Sequence, residues 1–291
     1  MLGVVGTVPD QDFPLLWGEV QIAGGHLRIA DRLVPILRGT PALLAAAVRT
    51  AESLAQPAPF AYLVGDIGLG EGSRRLYEHL ARHLSQVEFQ TLVFHYLQPD
   101  VDWHNKILFA IEEMEVRPVL IADAGYMYAA KMSGQAAAYD LFTPDAGELA
   151  FLADEQAPHP FYTRGFILHQ DNRVAKLIER TYRHENGARY LLVKGDRDYL
   201  ADRNGILAVV DQPCEEAMEA IGGTGDVLTG IVSALIESGV KIAQACVAAA
   251  RANRIAGCYA EPTPATQIGQ IVAMIHRALA DLLETEGKLH D

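Results

Sequence analysis

Short apolar runs alternate with longer stretches of helical period along most of the chain, and this alternation narrows the possible folds. Residues 60–64, 91–96, 118–122 and 190–193 are apolar runs of strand length, and the stretches between them place apolar residues at helical spacing. Strands that alternate with helices typically form a parallel sheet covered by helices. We therefore predict an α/β fold with a mostly parallel central sheet flanked by helices.

Turns and helix ends are predicted from shorter signals. Asn204-Gly205 lies between two apolar runs and predicts a β-hairpin, because both residues tolerate a positive φ. Thr40, which a proline follows, predicts the N-cap of one helix, and Ser73 predicts the N-cap of another. The prolines at 158–160 predict a loop.

Composition limits both the architecture and the partners. The chain has no repeat, low-complexity tract or linker, so residues 1–291 are expected to form one domain. Its 24 basic and 37 acidic residues give a net charge of −13, and the basic residues are scattered. Nucleic acid and anionic membranes require a concentrated basic patch, so neither is expected as a partner. No apolar run reaches the roughly 20 residues of a membrane span. Three cysteines are too few for a disulfide framework, and we expect a cytoplasmic protein.

A glycine-rich segment at residues 221–226 carries the most chemical information. Its three glycines and Thr224 precede an apolar helical pattern, which predicts a turn at the N-terminus of a helix. Backbone N–H groups converge at such a turn and, with the helix dipole, favour an anion. Asp226 would then lie where a carboxylate can accept a proton from a hydroxyl during phosphoryl transfer. Alternatively, Asp226 only caps the helix and the glycines only form a tight turn.

The Gly-Gly-Thr-Gly-Asp sequence at 222–226 resembles the signature of the ribokinase-like superfamily, most closely that of the ADP/ATP-dependent NAD(P)H-hydrate dehydratases. Three other segments occur in the order of that family. Residues 64–70 resemble its strand and Gly-x-Gly-Leu-Gly loop, residues 142–148 its Leu-Thr-Pro-His-Pro-Gly-Glu segment, and residues 192–195 its strand that ends in Lys-Gly. The resemblance extends from about Tyr62 to the C-terminal helices.

The resemblance implies a three-layer ribokinase-like α/β sandwich without an obvious lid. It also implies an enzyme that uses ADP or ATP, with Mg²⁺, to dehydrate hydrated NAD(P)H by phosphorylating a hydroxyl and then eliminating phosphate. By motif, Asp226 is the implied general base. The other implied site residues are Gly222, Gly223, Thr224 and Gly225 in the anion hole, Lys194 and Gly195 at the nucleotide phosphates, Glu148 and Asp145 at the metal through water, and Asp66, Gly68, Gly70 and Asp123 in the substrate cleft.

Structural alternatives stay open for three of these residues. Lys194 could leave the end of its strand for solvent. Glu148 could be a surface acid in the first turn of a helix, where the helix dipole favours it. Asp66 could cap its own loop instead of lining the substrate cleft.

The chain departs from the family pattern at four places. One is the family's N-terminal glycine-rich segment, for which Gly24-Gly25-His26 and Gly39-Thr40 are the only candidates. Asp145 replaces the histidine of the family motif, and Asp66 replaces a proline. Before the glycine turn, where the family is rich in Asn, Thr and Gly, this chain has Glu215, Glu216 and Glu219. Because these glutamates would repel phosphate, we expect them to face solvent.

Two other functions fit the same residues. A ribokinase-like small-molecule kinase would use the Asp226 turn to phosphorylate an alcohol such as a sugar or vitamin precursor. A nucleotide-binding protein that has lost catalysis would explain the missing histidine and the acidic residues. The expected partner is a small molecule, and a homo-oligomer is expected because relatives without a lid often complete their clefts between subunits.

Overall fold

The computed structural model describes residues 1–158 and 174–286, so the loop predicted at 158–160 extends beyond the described residues. The described strands are β1 (Leu2–Val8), β2 (Leu16–Ala23), β3 (His26–Ile29), β4 (Arg32–Pro35), β5 (Phe60–Gly65), β6 (Thr91–His95), β7 (Val119–Ala122), β8 (Leu141–Phe142), β9 (Tyr190–Val193), β10 (Asp198–Asp202) and β11 (Gly205–Val210). The described helices are α1 (Thr40–Ser53), α2 (Glu71–His83), α3 (Val101–Glu112), α4 (Gly125–Met132), α5 (Ala146–Ala153), α6 (Val174–Arg183), α7 (Thr224–Glu237), α8 (Ile242–Tyr259), α9 (Ile268–Ala273) and α10 (Ile275–Glu286).

All of these strands join one sheet, in the order β11-β10-β9-β8-β7-β6-β1-β5-β2-β3-β4. The six strands from β9 to β5 in that order run parallel. Antiparallel strands extend both edges, β10 and β11 on one side and β2, β3 and β4 on the other. The predicted α/β fold with a mostly parallel sheet is therefore confirmed.

Helices cover both faces of the sheet. Successive strand residues point to opposite faces, and Val4 of β1 packs with α1, α7 and α8. Its neighbour Val5 packs with α2, α3 and α4 on the other face. Val93 and Phe94 of β6 divide in the same way. The result is the predicted arrangement of helix, sheet and helix layers.

The strands predicted at 60–64, 91–96, 118–122 and 190–193 correspond to β5, β6, β7 and β9. The predicted hairpin is also confirmed, because β10 and β11 pair antiparallel around the turn that contains Asn204. The sequence pattern did not predict β1, which is buried along its whole length and pairs with β5 and β6. No described helix is long and apolar enough to cross a membrane.

The predicted N-caps Thr40 and Ser73 are wrong. Gly39 and Gly70 precede α1 and α2 instead, and both have a positive φ that glycine adopts without strain. Thr40 lies inside α1, with its hydroxyl 3.0 Å from Nδ1 of His95, and Ser73 is buried inside α2. Both hydroxyls therefore serve tertiary contacts that local sequence does not reveal.

The close approach between α1 and α7 depends on Gly230. A Cβ atom at this position would lie 2.2 Å from the carbonyl oxygen of Leu43, a backbone atom of α1. We expect Gly230→Ala to lower the free energy of unfolding by about 3 kcal/mol, because the two helices must move apart. The measurement is the urea unfolding midpoint.

Gly269→Ala in α9 is the matched control for Gly230→Ala. Its Cβ would meet Ile36 at 3.8 Å, an ordinary contact distance. The change should therefore keep stability within about 1 kcal/mol of the unchanged chain. Equal unfolding midpoints for the two variants would contradict the proposed close approach.

Candidate functional site

Four parallel strands end in polar residues at the carboxyl edge of the sheet. His95 is the last residue of β6, and Asp123, Thr143 and Lys194 directly follow β7, β8 and β9. The residue two positions earlier in each strand packs in the cluster that contains α1 and α7. Because the side chains of a strand alternate, the four polar side chains point to that same face. The carboxyl edge of an open parallel sheet is where such folds bind ligands.

The glycine turn brings the N-terminus of α7 to this edge. Gly223 is the N-cap, with a φ of 105°, and no side chain of the described residues caps the helix. The first amides of an α-helix have no partner within the helix. The amides of Thr224, Gly225 and Asp226 are therefore available to an anion.

Asp226 does not cap its own helix, because both of its carboxylate oxygens accept hydrogen bonds from elsewhere. Oδ1 accepts from Nε2 of His95 at 3.0 Å, and Oδ2 accepts from the backbone amide of Gly39 at 2.7 Å. Burial would raise the pKa of Asp226, but the hydrogen bond from His95, the nearby Lys194 and the Gly39 amide hold that pKa below its ordinary value. The carboxylate is thus kept ionised, as a proton acceptor must be.

Asp123 is buried and paired with Lys194. The Lys194 Nζ atom lies 2.8 Å from Oδ1 and 2.9 Å from Oδ2 of Asp123. Oδ1 also accepts from the Ala124 amide, and Oδ2 accepts from the Thr229 hydroxyl at 2.7 Å. Burial opposes the charge of Lys194, yet the carboxylates around it hold its pKa well above the ordinary value. Lys194 therefore stays at the site instead of leaving the strand for solvent.

Asp226, the ion pair of Asp123 with Lys194, and the first residues of α7 line a cavity of about 500 Å³ at the carboxyl edge. The predicted site residues that line it are Asp123, Asp145, Glu148, Lys194, Gly195, Gly223, Thr224, Gly225 and Asp226. Gly222 directly precedes the N-cap of α7 and faces Arg38. No described residue of β2, β3 or β4 lines the cavity.

The glycine loop after β5 lies apart from this cavity. The Asp66 carboxylate accepts hydrogen bonds from the amides of Gly68, Gly70 and Ser73, at distances between 2.8 and 3.1 Å. The Asp66 carboxylate thereby occupies the N-terminus of α2, where free amides would otherwise bind an anion. The structure therefore does not bring the predicted cleft residues Asp66, Gly68 and Gly70 to the site, and Asp66 caps its own loop.

Asp145 and Glu148 begin α5 as a reciprocal capping pair. Asp145 Oδ1 accepts from the Glu148 amide at 2.7 Å, and Glu148 Oε2 accepts from the Asp145 amide at 2.8 Å. Burial raises the pKa of Glu148 above its ordinary range, and Asp123 and Asp145 add to the rise while Lys194 opposes it. A hard cation would relieve this repulsion, and carboxylate oxygens are the ligands that Mg²⁺ prefers. The donor set at Glu148 and Asp145 therefore fits Mg²⁺.

A second cluster, within the described residues, has the composition of a metal site. Ligand atoms of His95, Asp123 and Asp226 all lie within 4.8 Å of one another, and the three residues are buried. Each is already engaged, because His95 bonds Asp226 and the Lys194 ammonium bonds Asp123. Lys194 supplies the positive charge that a cation would bring, so we assign no metal to this cluster.

The acidic segment before the glycine turn forms one wall of the cavity. Glu216 and Glu219 are exposed, as expected, and Glu215 is half-buried, but all three glutamates also line the cavity. The cause is the packing of Met218 against α8, where a Cβ on Gly257 would lie 1.9 Å from the Met218 sulfur. This contact holds the segment over the carboxyl edge.

The cavity as a whole is acidic. Of the residues that the structure describes, nine carboxylates line it, against two cationic side chains, those of Lys194 and Arg254. Like charges at this spacing repel one another in a partly desolvated cavity. An anionic ligand would therefore need an accompanying cation as well as the amides of α7.

Sequence reasoning missed Arg254, which shapes the turn that carries Lys194. Its Nε donates to Asp198 Oδ2 at 2.8 Å, and its Nη2 donates to the carbonyl oxygens of Gly195 and Asp196. Burial raises the pKa of Asp198 to about 6, although Arg254 opposes the rise. No local pattern marks this arginine on α8, because its partners lie more than fifty residues earlier in the chain.

His95 was also missed, although the sequence carries a signal for it. The alternation of β6 places Val93 and His95 on one face, and His95 stands at the carboxyl end of the strand. A polar residue that continues an apolar alternation at that edge is a candidate site residue.

The fold is that of the ribokinase-like enzymes. Over 96% of this chain and 89% of the other, it is similar to the crystal structure of the ADP/ATP-dependent NAD(P)H-hydrate dehydratase of Bacillus subtilis co-crystallized with ATP and Mg²⁺, with a TM-score of 0.56 and 11% identity. A family model described as NAD(P)H-hydrate dehydratase matches residues 98–275. The chain belongs to this NAD(P)H-hydrate dehydratase family of carbohydrate-kinase-like enzymes, which confirms the resemblance found in the sequence.

Two relatives define the range of similarity. An uncharacterized protein of Methanocaldococcus jannaschii is 40% identical over 83% of this chain and 100% of its own length. A bifunctional NAD(P)H-hydrate repair enzyme of Pyrobaculum aerophilum is 27% identical over 92% of this chain. The match covers 49% of that second protein, so this chain spans about half its length.

Proposed function

We propose that this protein dehydrates hydrated NAD(P)H in a reaction that consumes ADP or ATP and requires Mg²⁺. The observation that carries the proposal is the ionised Asp226 beside the uncapped N-terminus of α7, in a cavity lined by the other family motifs. A base next to an anion site is what transfer of a phosphoryl group to a hydroxyl requires. Membership in the dehydratase family supports hydrated NAD(P)H as the substrate.

Each residue has a definite part in the proposed reaction. Asp226 accepts the proton of the substrate hydroxyl as the hydroxyl attacks the terminal phosphoryl group of the nucleotide, and the rest of the nucleotide leaves as ADP from ATP or as AMP from ADP. The amides of Thr224 and Gly225, at the positive end of the α7 dipole, stabilise the negative charge on that group. Lys194 adds a fixed positive charge at the same edge of the sheet.

The acidic residues around the anion site suit a divalent cation. Mg²⁺ held by Glu148 and Asp145, directly or through water, would supply positive charge to balance the phosphate oxygens. The cytoplasmic location and the homo-oligomer expected from the sequence stay predictions.

The proposal is tested by incubating the protein with hydrated NADH, Mg²⁺ and either ADP or ATP. We expect the absorbance of reduced nicotinamide to return only when nucleotide and Mg²⁺ are both present, and chelation of Mg²⁺ should stop the reaction. Nucleotide consumption that depends on an added alcohol, without recovery of NADH, would instead support the small-molecule kinase. Tight nucleotide binding without turnover would support the protein that has lost catalysis.

A further inference from the structure

We propose that His95 is a positioning residue that holds the Asp226 carboxylate in place for proton acceptance, a role that rests on the function proposed above. His95 is fully buried and does not line the cavity, whereas Asp226 does. The imidazole therefore acts on the reaction through neighbouring cavity residues, and its hydrogen bond is the 3.0 Å contact with Asp226 Oδ1.

The hydrogen bonds define which nitrogen of His95 carries the proton. An ionised carboxylate only accepts hydrogen bonds, so Nε2 of His95 must be the donor to Asp226. When Nε2 alone carries a proton, Nδ1 is an acceptor, and the Thr40 hydroxyl lies 3.0 Å from it. In that tautomer Thr40 donates to His95, and His95 donates to Asp226. The chain of donors orients the imidazole and, through it, the carboxylate.

The fold leaves space for this chain of donors at one glycine. Gly6 of β1 lies beside Thr40, and a Cβ on Gly6 would come within 2.5 Å of the Thr40 hydroxyl and 2.8 Å of the His95 carbonyl oxygen. Any larger residue at this position in the central strand would displace Thr40. The absence of a side chain at Gly6 thus permits the contact between α1 and β6.

The second oxygen of Asp226 is fixed independently. The Gly39 amide donates to Oδ2 at 2.7 Å, so the carboxylate is held at both ends. Each carboxylate oxygen accepts up to about two hydrogen bonds, which leaves lone pairs for a substrate hydroxyl. Holding the base in one orientation before substrate arrives reduces the reorganisation needed in the transition state.

Other charged and titratable groups face Asp226 from neighbouring elements. Lys194 follows β9 and favours the ionised carboxylate. Asp123, a group of like charge, follows β7, and its Oδ2 lies 3.7 Å from His95 Nε2. Tyr96 follows His95, and burial together with Asp226 raises the pKa of its hydroxyl. Without the His95 donor, Lys194 and the Gly39 amide would still favour the ionised carboxylate, but the hydrogen bond from His95 would be lost. The pKa of Asp226 should therefore rise.

The experiment compares His95→Leu with His95→Gln, whose amide can donate from the position of Nε2. We expect His95→Leu to lower kcat roughly 10- to 100-fold while KM stays within about threefold, because a charge-assisted hydrogen bond is lost and no substrate contact is. The acidic limb of the kcat/KM profile should move to higher pH. His95→Gln should restore most of kcat.

His104→Gln is the matched control. His104 is also fully buried, but its Nε2 contacts the Tyr139 hydroxyl at 2.9 Å on the opposite face of the sheet. This variant should leave kcat and the pH profile unchanged. Unchanged kcat and pH profile in His95→Leu, or equal losses in the Leu and Gln variants, would overturn the positioning role.

A readout that does not depend on turnover separates this inference from the proposed function. ¹⁵N NMR of the histidine rings should show His95 protonated at Nε2 and bare at Nδ1, and Asp226→Leu should change that signal. A proton on Nδ1 alone would overturn the inference even in an active enzyme. The NMR signal could be as expected while the protein shows neither dehydratase nor kinase activity. That outcome would contradict the proposed function but not the hydrogen bond between His95 and Asp226.

Discussion

Asp226→Asn is expected to reduce turnover about a thousandfold, the middle of the range of roughly 10²- to 10⁴-fold that a general base contributes. The amide has almost the shape of the carboxylate but does not accept a proton from the substrate hydroxyl. Its oxygen can still accept from the Gly39 amide, and its NH₂ group can donate to His95 once the imidazole proton moves to Nδ1. Nδ1 then donates to the Thr40 hydroxyl. The fold should therefore survive, with stability within about 1 kcal/mol of the unchanged chain.

The measurement for Asp226→Asn is the rate of NADH recovery together with the thermal unfolding midpoint. Asp140→Asn provides a matched control, because Asp140 also pairs with a basic residue, Arg117, but lies just before β8 at the opposite edge of the sheet. This control should keep turnover within about threefold. Near-normal turnover in Asp226→Asn would contradict its assignment as the base.

Lys194→Met is expected to have the largest effect on stability, a loss of about 3–5 kcal/mol in the free energy of unfolding. The change removes the ammonium that pairs with Asp123, whose side chain is 1% exposed, and so leaves an uncompensated charge in the interior. Among the described residues, Asp123 then retains the Ala124 amide and the Thr229 hydroxyl as donors. Urea unfolding measures the loss, provided that the dependence on urea concentration stays the same.

Two further variants isolate the ion pair of Lys194. The double variant Lys194→Met with Asp123→Asn should recover part of the lost stability, because it removes the unpaired charge as well. Arg49→Met breaks the exposed pair between Arg49 and Glu52 and should cost less than about 1 kcal/mol. Equal losses for the single and double Lys194 variants would show that packing, and not the charge of Asp123, sets the stability.

The parts of the fold that sequence predicts are those with a local pattern. β5, β6, β7 and β9 are short apolar runs bounded by helical stretches, and each was predicted to within about a residue. β1 is apolar on both faces, so it shows no alternation, and its partners β5 and β6 begin about sixty and ninety residues later. Its place at the centre of the sheet depends on those distant partners.

The site residues likewise divide into those that a local sequence pattern predicts and those that depend on distant partners. The motif at 222–226 located Asp226 and the amides of α7, because a glycine turn before a helix has a local physical meaning. The family resemblance implied that Asp66 lines the substrate cleft, but its carboxylate caps its own loop. His95 and Arg254 act through residues far away in sequence, so no local pattern assigns their partners.

The structure shows where part of the net charge of −13 lies. Several acids gather around one cavity, where Asp226 is the proposed base and Glu148 and Asp145 are the proposed metal ligands. We propose that the α7 amides, Lys194 and a divalent cation bind the phosphates of an anionic nucleotide at this cavity. A broad basic surface is not required for this binding.

In the proposed reaction a phosphoryl group is transferred to the substrate hydroxyl. The phosphorylated oxygen then leaves as inorganic phosphate. The most direct measurement follows NADH recovery and inorganic phosphate release together, in one sample that contains hydrated NADH, Mg²⁺ and ADP or ATP. We expect one phosphate to be released for each NADH recovered, and neither product to form without the protein. Phosphate release without NADH, or NADH recovery without nucleotide consumption, would contradict the proposed reaction.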